Sequence, residues 1–350
     1  MKKKINIEDF QKFLIVQTAF LGDVAISLEL VEAIKHFHPK SEIDFLTTPQ
    51  SSEIIELSNH VRQVFPFDKK NLQRSLSATK VFAKKISENN YDCVISLHKS
   101  FRTSYLVSKL VSRCKIGFQD SSFSSFVYDY RVRYNFSLNE HFRVLTPLST
   151  FGIDYLDYQI GGYSITFPSE VKSQIDKLLI DKNIGNHFIV LAAGSVWNTK
   201  KWGKEKYANL ANLLQETGLT VVLVGGNSDL DDCNYIENKA KVTNLAGKTS
   251  IKELIYLLSK ASLVISNDSA PVHFANIVKT PVVAIFGPTS PIFGFAPIGT
   301  NDSIIENINL KCRPCQIHGS KKCPISTMEC MTSIKAEDVF KIINKKIMDL

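Results

Sequence analysis

At 350 residues and 44% hydrophobic, the chain has enough apolar sequence to bury two cores of ordinary size, and its composition is not that of a disordered, collagenous or membrane-spanning protein. A formal charge of +8 favours acidic partners, whether phosphates, nucleic acid or an anionic membrane surface, without choosing among them. The apolar run from Phe13 to Leu28 follows a lysine-rich start, but Gln17 and Asp23 interrupt it and no small-residue cleavage site follows, so it reads as strand and helix of a cytoplasmic protein and not as a signal peptide.

In chain order, Phe13 to Gln17 predicts a first strand and Thr18 to Asp23 a turn. Val24, Leu28, Val31 and Ile34 then mark one face of a helix that ends before Pro39. Ile43 to Leu46 predicts a second strand, completing a strand, helix, strand unit of the parallel kind. A helix from Ser52 to Ser58, an apolar piece from Val61 to Phe67 and a basic helix reaching Asn90 continue the alternation. The strand Cys93 to Leu97 follows, with the polar turn His98 to Arg102 behind it. Between Lys69 and Arg143 there are 14 Lys or Arg against 5 Asp or Glu, an excess that one solvated helix face explains only in part. Gly117 to Tyr134 has no periodicity that predicts an element, His141 to Phe151 reads as helical, and Tyr158 to Pro168 reads as a domain crossing.

The plan then repeats. Val171, Ile175, Leu178 and Leu179 lie on a helix, Phe188 to Ala193 is an apolar strand running into Gly194-Ser195, and Lys204 to Glu216 is a helix. Thr220 to Val224 is a strand ending on Gly225-Gly226, and Ser250 with Glu253 forms a capping box that opens a helix to Lys260. Leu263 to Ser266 is a strand, Asn267-Asp268-Ser269 a turn able to cap a helix, and Pro271 suits the first helical turn. The expected fold is therefore α/β, with two Rossmann-like domains whose parallel sheets face each other across a cleft lined by the turns at the carboxyl ends of the strands. The expected domains are residues 1–165 and 166–350.

No GxxxxGK pattern is present, which argues against a Walker-type NTPase, and no GxGxxG follows the first strand of either half, which weakens a dehydrogenase reading. Gly225-Gly226 still leaves room for a pyrophosphate. Gly194-Ser195 permits close backbone approach, and Lys200 supplies an ammonium where a leaving diphosphate would gain charge. Asp229 would accept from ribose hydroxyls or cap the next helix, and both readings stand. Asp268, Ser269 and His273 gather polar groups at a helix start; Asp268 binding and Asp268 merely capping are equally consistent with the residues. Asp23, directly behind a buried strand, is placed to take a proton from a hydroxyl or to serve the helix start electrostatically. His98, Lys99 and Arg102 close another strand and would hold an anionic acceptor.

Seven cysteines are unevenly spread. Cys93, Cys114 and Cys233 sit in apolar or helical surroundings as reduced thiols. Cys312, Cys315, Cys323 and Cys330 have one CxxC pair but no second close pair, so their spacing leaves metal binding, disulfides and free thiols all open.

Four segments in this order, FLGDVAISLELVEAIKHFHP, AAGSVWNTKKWGKEKYANLANLL, LVGG and NDSAPVHFANIVKTPVVAIFGPTSP, give the chain a specific resemblance to the heptosyltransferase family, the ADP-heptose:lipopolysaccharide glycosyltransferases of the GT-B fold. The cysteine tail also looks like one seen in such proteins. The resemblance implies an inverting transfer of heptose from ADP-heptose to a lipopolysaccharide inner-core acceptor. It implies Asp23, beside Gly22, as general base and Lys200 as the group that steadies departing ADP. Gly22, Gly194, Ser195, Gly225, Gly226, Thr249, Asp268, Ser269, Ala270 and His273 would bind the donor, with the loop from Ala246 to Thr249 along the adenine. Many family members have Gly where this chain has Ala270.

His98, Lys99 and Arg102 would receive a lipid-linked core oligosaccharide at the inner face of the cytoplasmic membrane. No cofactor and no metal for the leaving group would be required, and nucleic acid is not an expected partner. Cleft closure would bring Asp23 to the donor. Rival readings are a GT-B transferase using another nucleotide sugar for O-antigen or another surface glycan, a nucleotide-dependent oxidoreductase, and a nucleic-acid-binding module.

Overall fold

Runs that are apolar at every position, such as Phe188-Ile189-Val190-Leu191-Ala192 and Val282-Val283-Ala284-Ile285-Phe286, become strands buried on both faces, as parallel sheets covered by helices require. In the computed structural model, which describes residues 5–348, the chain divides into two compact units, 1–166 and 167–350.

The first unit contains β1 (Lys12–Val16), α1 (Leu21–Ile26), α2 (Leu28–Phe37), β2 (Glu42–Thr47), α3 (Pro49–Ile55), β3 (Val61–Pro66), α4 (Leu76–Ser87) and β4 (Cys93–Ser96). It continues through α5 (Phe101–Lys109), β5 (Cys114–Phe118), α6 (Ser124–Val127), β6 (Tyr130–Val132) and α7 (Glu140–Arg143). The second contains α8 (Ser169–Asp181), β7 (Phe188–Ala192), α9 (Lys204–Glu216), β8 (Thr220–Val224), α10 (Leu230–Lys239), β9 (Thr243–Asn244) and α11 (Ile251–Lys260). Then come β10 (Leu263–Asn267), α12 (Ala270–Ile277), β11 (Val282–Phe286), β12 (Ser303–Glu306), α13 (Glu329–Thr332) and α14 (Ala336–Met348).

The sheet orders are β3-β2-β1-β4-β5-β6 and β12-β11-β10-β7-β8-β9. Every pairing within them is parallel. Counted within its own unit, each sheet has the same 3-2-1-4-5-6 order, so each has a switch point where successive crossovers leave in opposite directions, at β1/β4 and at β7/β10. Ligands of open α/β sheets bind at the carboxyl side of such points.

The stretch from Gly117 to Tyr134, without periodicity in sequence, supplies the end of β5, the four-residue α6 and the three-residue β6. Elements this short cannot show a period. The helical reading of 141–151 resolves into the single turn α7 and a 3₁₀ segment, Thr146–Phe151. Pro147 lacks the N–H that a continuing α-helix would need there.

The last residues of the first unit are fastened by two buried carboxylates on α2. Glu29 Oε1 accepts from Gly161 N–H at 2.9 Å and the Tyr163 hydroxyl at 2.6 Å, and lies 2.9 Å from His141 Nδ1. Glu32 Oε1 accepts from Ser164 N–H at 3.1 Å, and its other oxygen lies 3.0 Å from His60 Nδ1. Burial raises the Glu32 pKa. Glu29 is fully buried, so Glu29→Ala strips several groups of their partner at once. The expected loss is about 2–4 kcal/mol, read as a lower urea midpoint with an unchanged slope. Among the described residues no helix is long and apolar enough to cross a membrane.

Candidate active site

In the first unit the turn behind β1 enters α1 through Phe20, with Gly22 and Asp23 in the first helical turn. Phe20 N–H donates to Asp23 Oδ2 at 3.2 Å, and the carboxylate remains half-buried. The helix-start role weighed from sequence is therefore real, and it leaves the carboxylate at the carboxyl edge of the sheet.

Behind β4, which pairs with β1, His98 Nδ1 lies 2.9 Å from Thr18 Oγ1 and 2.8 Å from Thr103 Oγ1. The two threonine hydroxyls are themselves 2.8 Å apart. Burial, reinforced by the Lys69 and Lys99 charges, pushes the His98 imidazole down to about 4. The ring is thus neutral at pH 7. In two-dimensional NMR one histidine should titrate with a midpoint at about 4, whereas a midpoint at the ordinary 6.5 would place the ring in water. The unfolded chain binds this proton more readily than the folded one, so the contribution to stability is full above pH 6.5 and is lost as pH falls from there through about 4.

The neighbouring cations are less open than their sequence positions suggest. Lys99 Nζ pairs with Asp120 at 2.9 Å and stands 3.7 Å from the centroid of the Tyr134 ring. Arg102 donates to two backbone carbonyls, Lys69 at 2.7 Å and Arg74, so it shapes the loop after β3. Lys69 Nζ in turn donates to Thr18 C=O at 2.7 Å, and burial lowers its pKa. Thr18, Thr103 and Lys69 join the site without having been singled out from sequence. Thr18 and Lys69 follow the ends of β1 and β3, and that position was the available signal, whereas Thr103 lies in the first turn of α5.

In the second unit the β7/β10 switch point is assembled around Asn267. Its Nδ2 donates to Ala193 C=O at 2.8 Å and Gly194 C=O at 3.2 Å. Its Oδ1 accepts from Trp202 N–H at 3.1 Å and the Tyr207 hydroxyl at 3.2 Å. This buried amide staples the turn that carries Gly194 and Ser195. Ser195 Oγ accepts from Trp197 N–H at 3.3 Å, and Ser269 Oγ lies 3.5 Å from Gly194 C=O. A Cβ at Gly194 would collide with the Asp229 carboxylate, whose Oδ2 also accepts from Gly226 N–H at 3.0 Å. Asp229 is thus bonded to the Gly225-Gly226 turn of β8 and packed against the β7 turn at Gly194, and it does not cap α10 with its side chain. The β9 turn, which leads to Thr249, joins them through Gly247 N–H donating to Gly225 C=O at 2.9 Å.

Lys200 and Asp268, singled out separately in sequence, form one pair. Lys200 Nζ is 2.7 Å from Asp268 Oδ2 and 3.1 Å from the Asp268 carbonyl. Thr289 Oγ1 donates to the same carboxylate oxygen at 2.7 Å. The helix-capping role open to Asp268 in sequence is not what the structure shows. Ser269 occupies the N-cap of α12, Ala270 opens the helix, and the Asp268 carboxylate is nearly fully buried beneath Lys200. The pair fixes where the ammonium sits. His273, one turn into α12, is buried.

The cysteine tail folds back on this turn. Ser320 N–H donates to Thr199 Oγ1 at 2.8 Å, and Thr199 N–H donates to Ser320 C=O at 3.1 Å. Arg313 donates to Thr289 C=O at 2.7 Å and pairs with Glu306 at 2.7 Å. A line of contacts therefore runs from the tail through Thr289 and Asp268 to Lys200. Thr289 and Arg313 were not predicted; the strand-end rule applied to β11 would have found Thr289. Burial pushes the Cys330 thiol up to about 11. Among the described residues no group of three or more His, Cys, Asp or Glu is arranged to hold a metal ion.

The chain is 27% identical over 288 residues to lipopolysaccharide heptosyltransferase 3 of Escherichia coli, a match spanning 78% of this chain and 83% of that one. Its fold matches the solved glycosyl transferase family 9 protein of Veillonella parvula with a TM-score of 0.88 at 21% identity, over 99% of both chains. It matches the E. coli ADP-heptose lipopolysaccharide heptosyltransferase II with a TM-score of 0.80 at 20% identity, over 97% of this chain and 99% of that one. The architecture is that of GT-B glycosyltransferases. The profile of glycosyltransferase family 9 (heptosyltransferase) matches residues 80–325, and with more than half of its length covered the chain belongs to that family.

Proposed function

We propose that this glycosyltransferase moves a heptose from ADP-heptose to an inner-core sugar of lipopolysaccharide, with inversion at the anomeric carbon. The observation that carries the reading is the buried Asp268 carboxylate, which with Thr289 aims Lys200 at the β7/β10 switch point of a family 9 chain. A diphosphate would be repelled by Asp268 alone. Paired, the two side chains sum to no net charge, and the ammonium would meet the diphosphate with the start of α12 next to it.

The proposed step balances simply. Asp23 takes the proton of an acceptor hydroxyl, the oxygen bonds to the anomeric carbon, and the bond from that carbon to the diphosphate oxygen breaks. ADP leaves with the electron pair, its new charge met by Lys200 and the amide groups at the start of α12. Gly194, Ser195, Gly225, Gly226 and Thr249 would line the nucleotide. Neutral His98 would exchange hydrogen bonds with the acceptor sugar, with Lys99 near its anionic groups. Arg102 would act by holding the loop that carries Lys69. The acceptor would be lipid-linked at the inner face of the cytoplasmic membrane, and no metal would be needed by the leaving group.

The test is incubation with ADP-heptose and defined truncated core acceptors, with product mass and anomeric configuration read together. A heptose-sized mass gain with inverted configuration is expected. If ADP-heptose is neither bound nor consumed while a UDP-sugar is, the donor assignment fails. EDTA should leave turnover unchanged; a loss reversed by one added cation would overturn metal independence.

A further inference from the structure

Lys200 carries its ammonium on a long flexible stem, and a lysine held only at its tip would spread that stem over many conformers. The tip is fixed at Asp268, 2.7 Å from Oδ2 and 3.1 Å from the carbonyl. The stem meets a second restraint, which comes from the cysteine tail. A Cβ added to Gly319 would stand 3.0 Å from Lys200 Cγ and 3.1 Å from Trp197 Cβ, so the place a side chain would take is filled by the lysine stem and the indole side chain. Gly319 also has a φ of +82°, a left-handed conformation that other residues rarely adopt. Backbone and space both select glycine there.

The next residue grips the same turn. Ser320 N–H donates to Thr199 Oγ1 at 2.8 Å, while Thr199 N–H and the Thr199 hydroxyl both donate to Ser320 C=O, at 3.1 and 2.9 Å. Upstream, Arg313 donates to Thr289 C=O at 2.7 Å and Cys315 N–H donates to Pro288 C=O at 2.9 Å. Thr289 is the residue whose hydroxyl bonds the Asp268 carboxylate. The tail therefore holds the turn of Lys200 through residues 319 and 320, and the turn of Thr289 through residues 313 and 315. Hydrophobic burial does not account for this path: from 311 to 323 no apolar side chain is buried, and Gly319 is the buried position.

We propose that Gly319 and the Ser320 backbone are positioning residues for the transfer, confining the Lys200 stem so that its ammonium stays beside Asp268, where a leaving diphosphate would gain charge. Ordering a group before the reaction removes the entropy cost of ordering it during the reaction, and a displacement of about 1 Å at such a group costs on the order of 10²-fold in rate. The use of the ammonium rests on the transferase reading, but the restraint itself does not.

Gly319→Ala and Thr199→Val test it in the full chain, the first by adding a Cβ and the second by removing the hydroxyl that bonds Ser320. Thr199→Val adds no backbone strain, so it keeps the test open should Gly319→Ala not fold. Each is expected to lower kcat about 10- to 100-fold with the acceptor KM within about twofold, and Thr199→Ser, which keeps the hydroxyl, should restore turnover. A merely structural role would cut turnover by the same factor whether or not Lys200 is present. In a Lys200→Ala/Asp268→Asn background, with no ammonium left to misplace, the same two substitutions should change the residual turnover by less than about twofold. An equal fold-loss in both backgrounds would overturn the proposal. A ligand-free readout is NMR of protein carrying isotope-labelled lysine, with the Lys200 signal identified by its loss in Lys200→Ala. Its two Hε protons should be resolved in wild type, as in a fixed side chain, and should merge in Gly319→Ala and Thr199→Val. Unchanged Hε signals in both variants would also overturn it. If the signals merge but no protein, wild type included, transfers heptose, the heptose reading falls and the restraint stands.

Discussion

Asp23→Asn is expected to lower kcat by about 10²–10⁴-fold while ADP affinity stays within about twofold, the range that loss of a general base produces. Asparagine is the decisive replacement because Asp23 has a structural role at the helix start beside the catalytic one proposed for it. Its Oδ2 accepts from Phe20 N–H at the start of α1. An amide oxygen can accept the same bond, so the helix start is preserved while the base is removed. Asp23→Ala removes both and should show the same kinetic loss with an added stability cost of about 1 kcal/mol. Isothermal titration with ADP, a Tm, and single-turnover kinetics together separate the roles. Near-normal turnover in Asp23→Asn would reduce the residue to a helix-start group.

Lys200→Ala should harm donor binding and turnover together, with KM for the sugar nucleotide raised at least about tenfold and kcat lowered about 10²–10³-fold. It should also destabilise the second unit. The Lys200 and Asp268 side chains are only 13% and 6% exposed, and removing the ammonium leaves a buried carboxylate with the Thr289 hydroxyl as its hydrogen-bond donor. A cost of about 3 kcal/mol is expected. The double variant Lys200→Ala/Asp268→Asn supplies the control. Neutralising the orphaned charge should recover most of the stability and none of the turnover. Recovery of both would mean that Lys200 serves only to neutralise Asp268.

Much of the architecture was legible before any coordinates. The helix Lys204 to Glu216 and the strand Thr220 to Val224 appear with the predicted bounds. Ser250 and Glu253 form the reciprocal box expected of them, with Ser250 N–H to Glu253 Oε2 at 2.7 Å and Glu253 N–H to Ser250 Oγ at 3.3 Å. These are local patterns, set by spacing along one segment. Between Gly117 and Tyr134 the pattern failed because a three-residue strand such as β6 is stabilised by its neighbour β5 and has too few residues to show alternation.

The same division runs through the site. Glycines behind strands, an acid in a first helical turn, and polar clusters at successive strand ends are properties of short segments, so Gly194, Asp23, Lys200 and Asp268 could be singled out one by one from sequence. That Asp268 serves Lys200, that Arg102 is spent on the backbone of residues 69 and 74, and that Ser320 bonds Thr199 are facts about partners tens to over a hundred residues apart. Sequence determined the parallel α/β plan and the strand ends where chemistry would gather, because burial and periodicity are written locally. The tertiary structure decided which charges meet, because a buried carboxylate takes whichever donor the packing brings within reach, and no spacing along the chain names that donor.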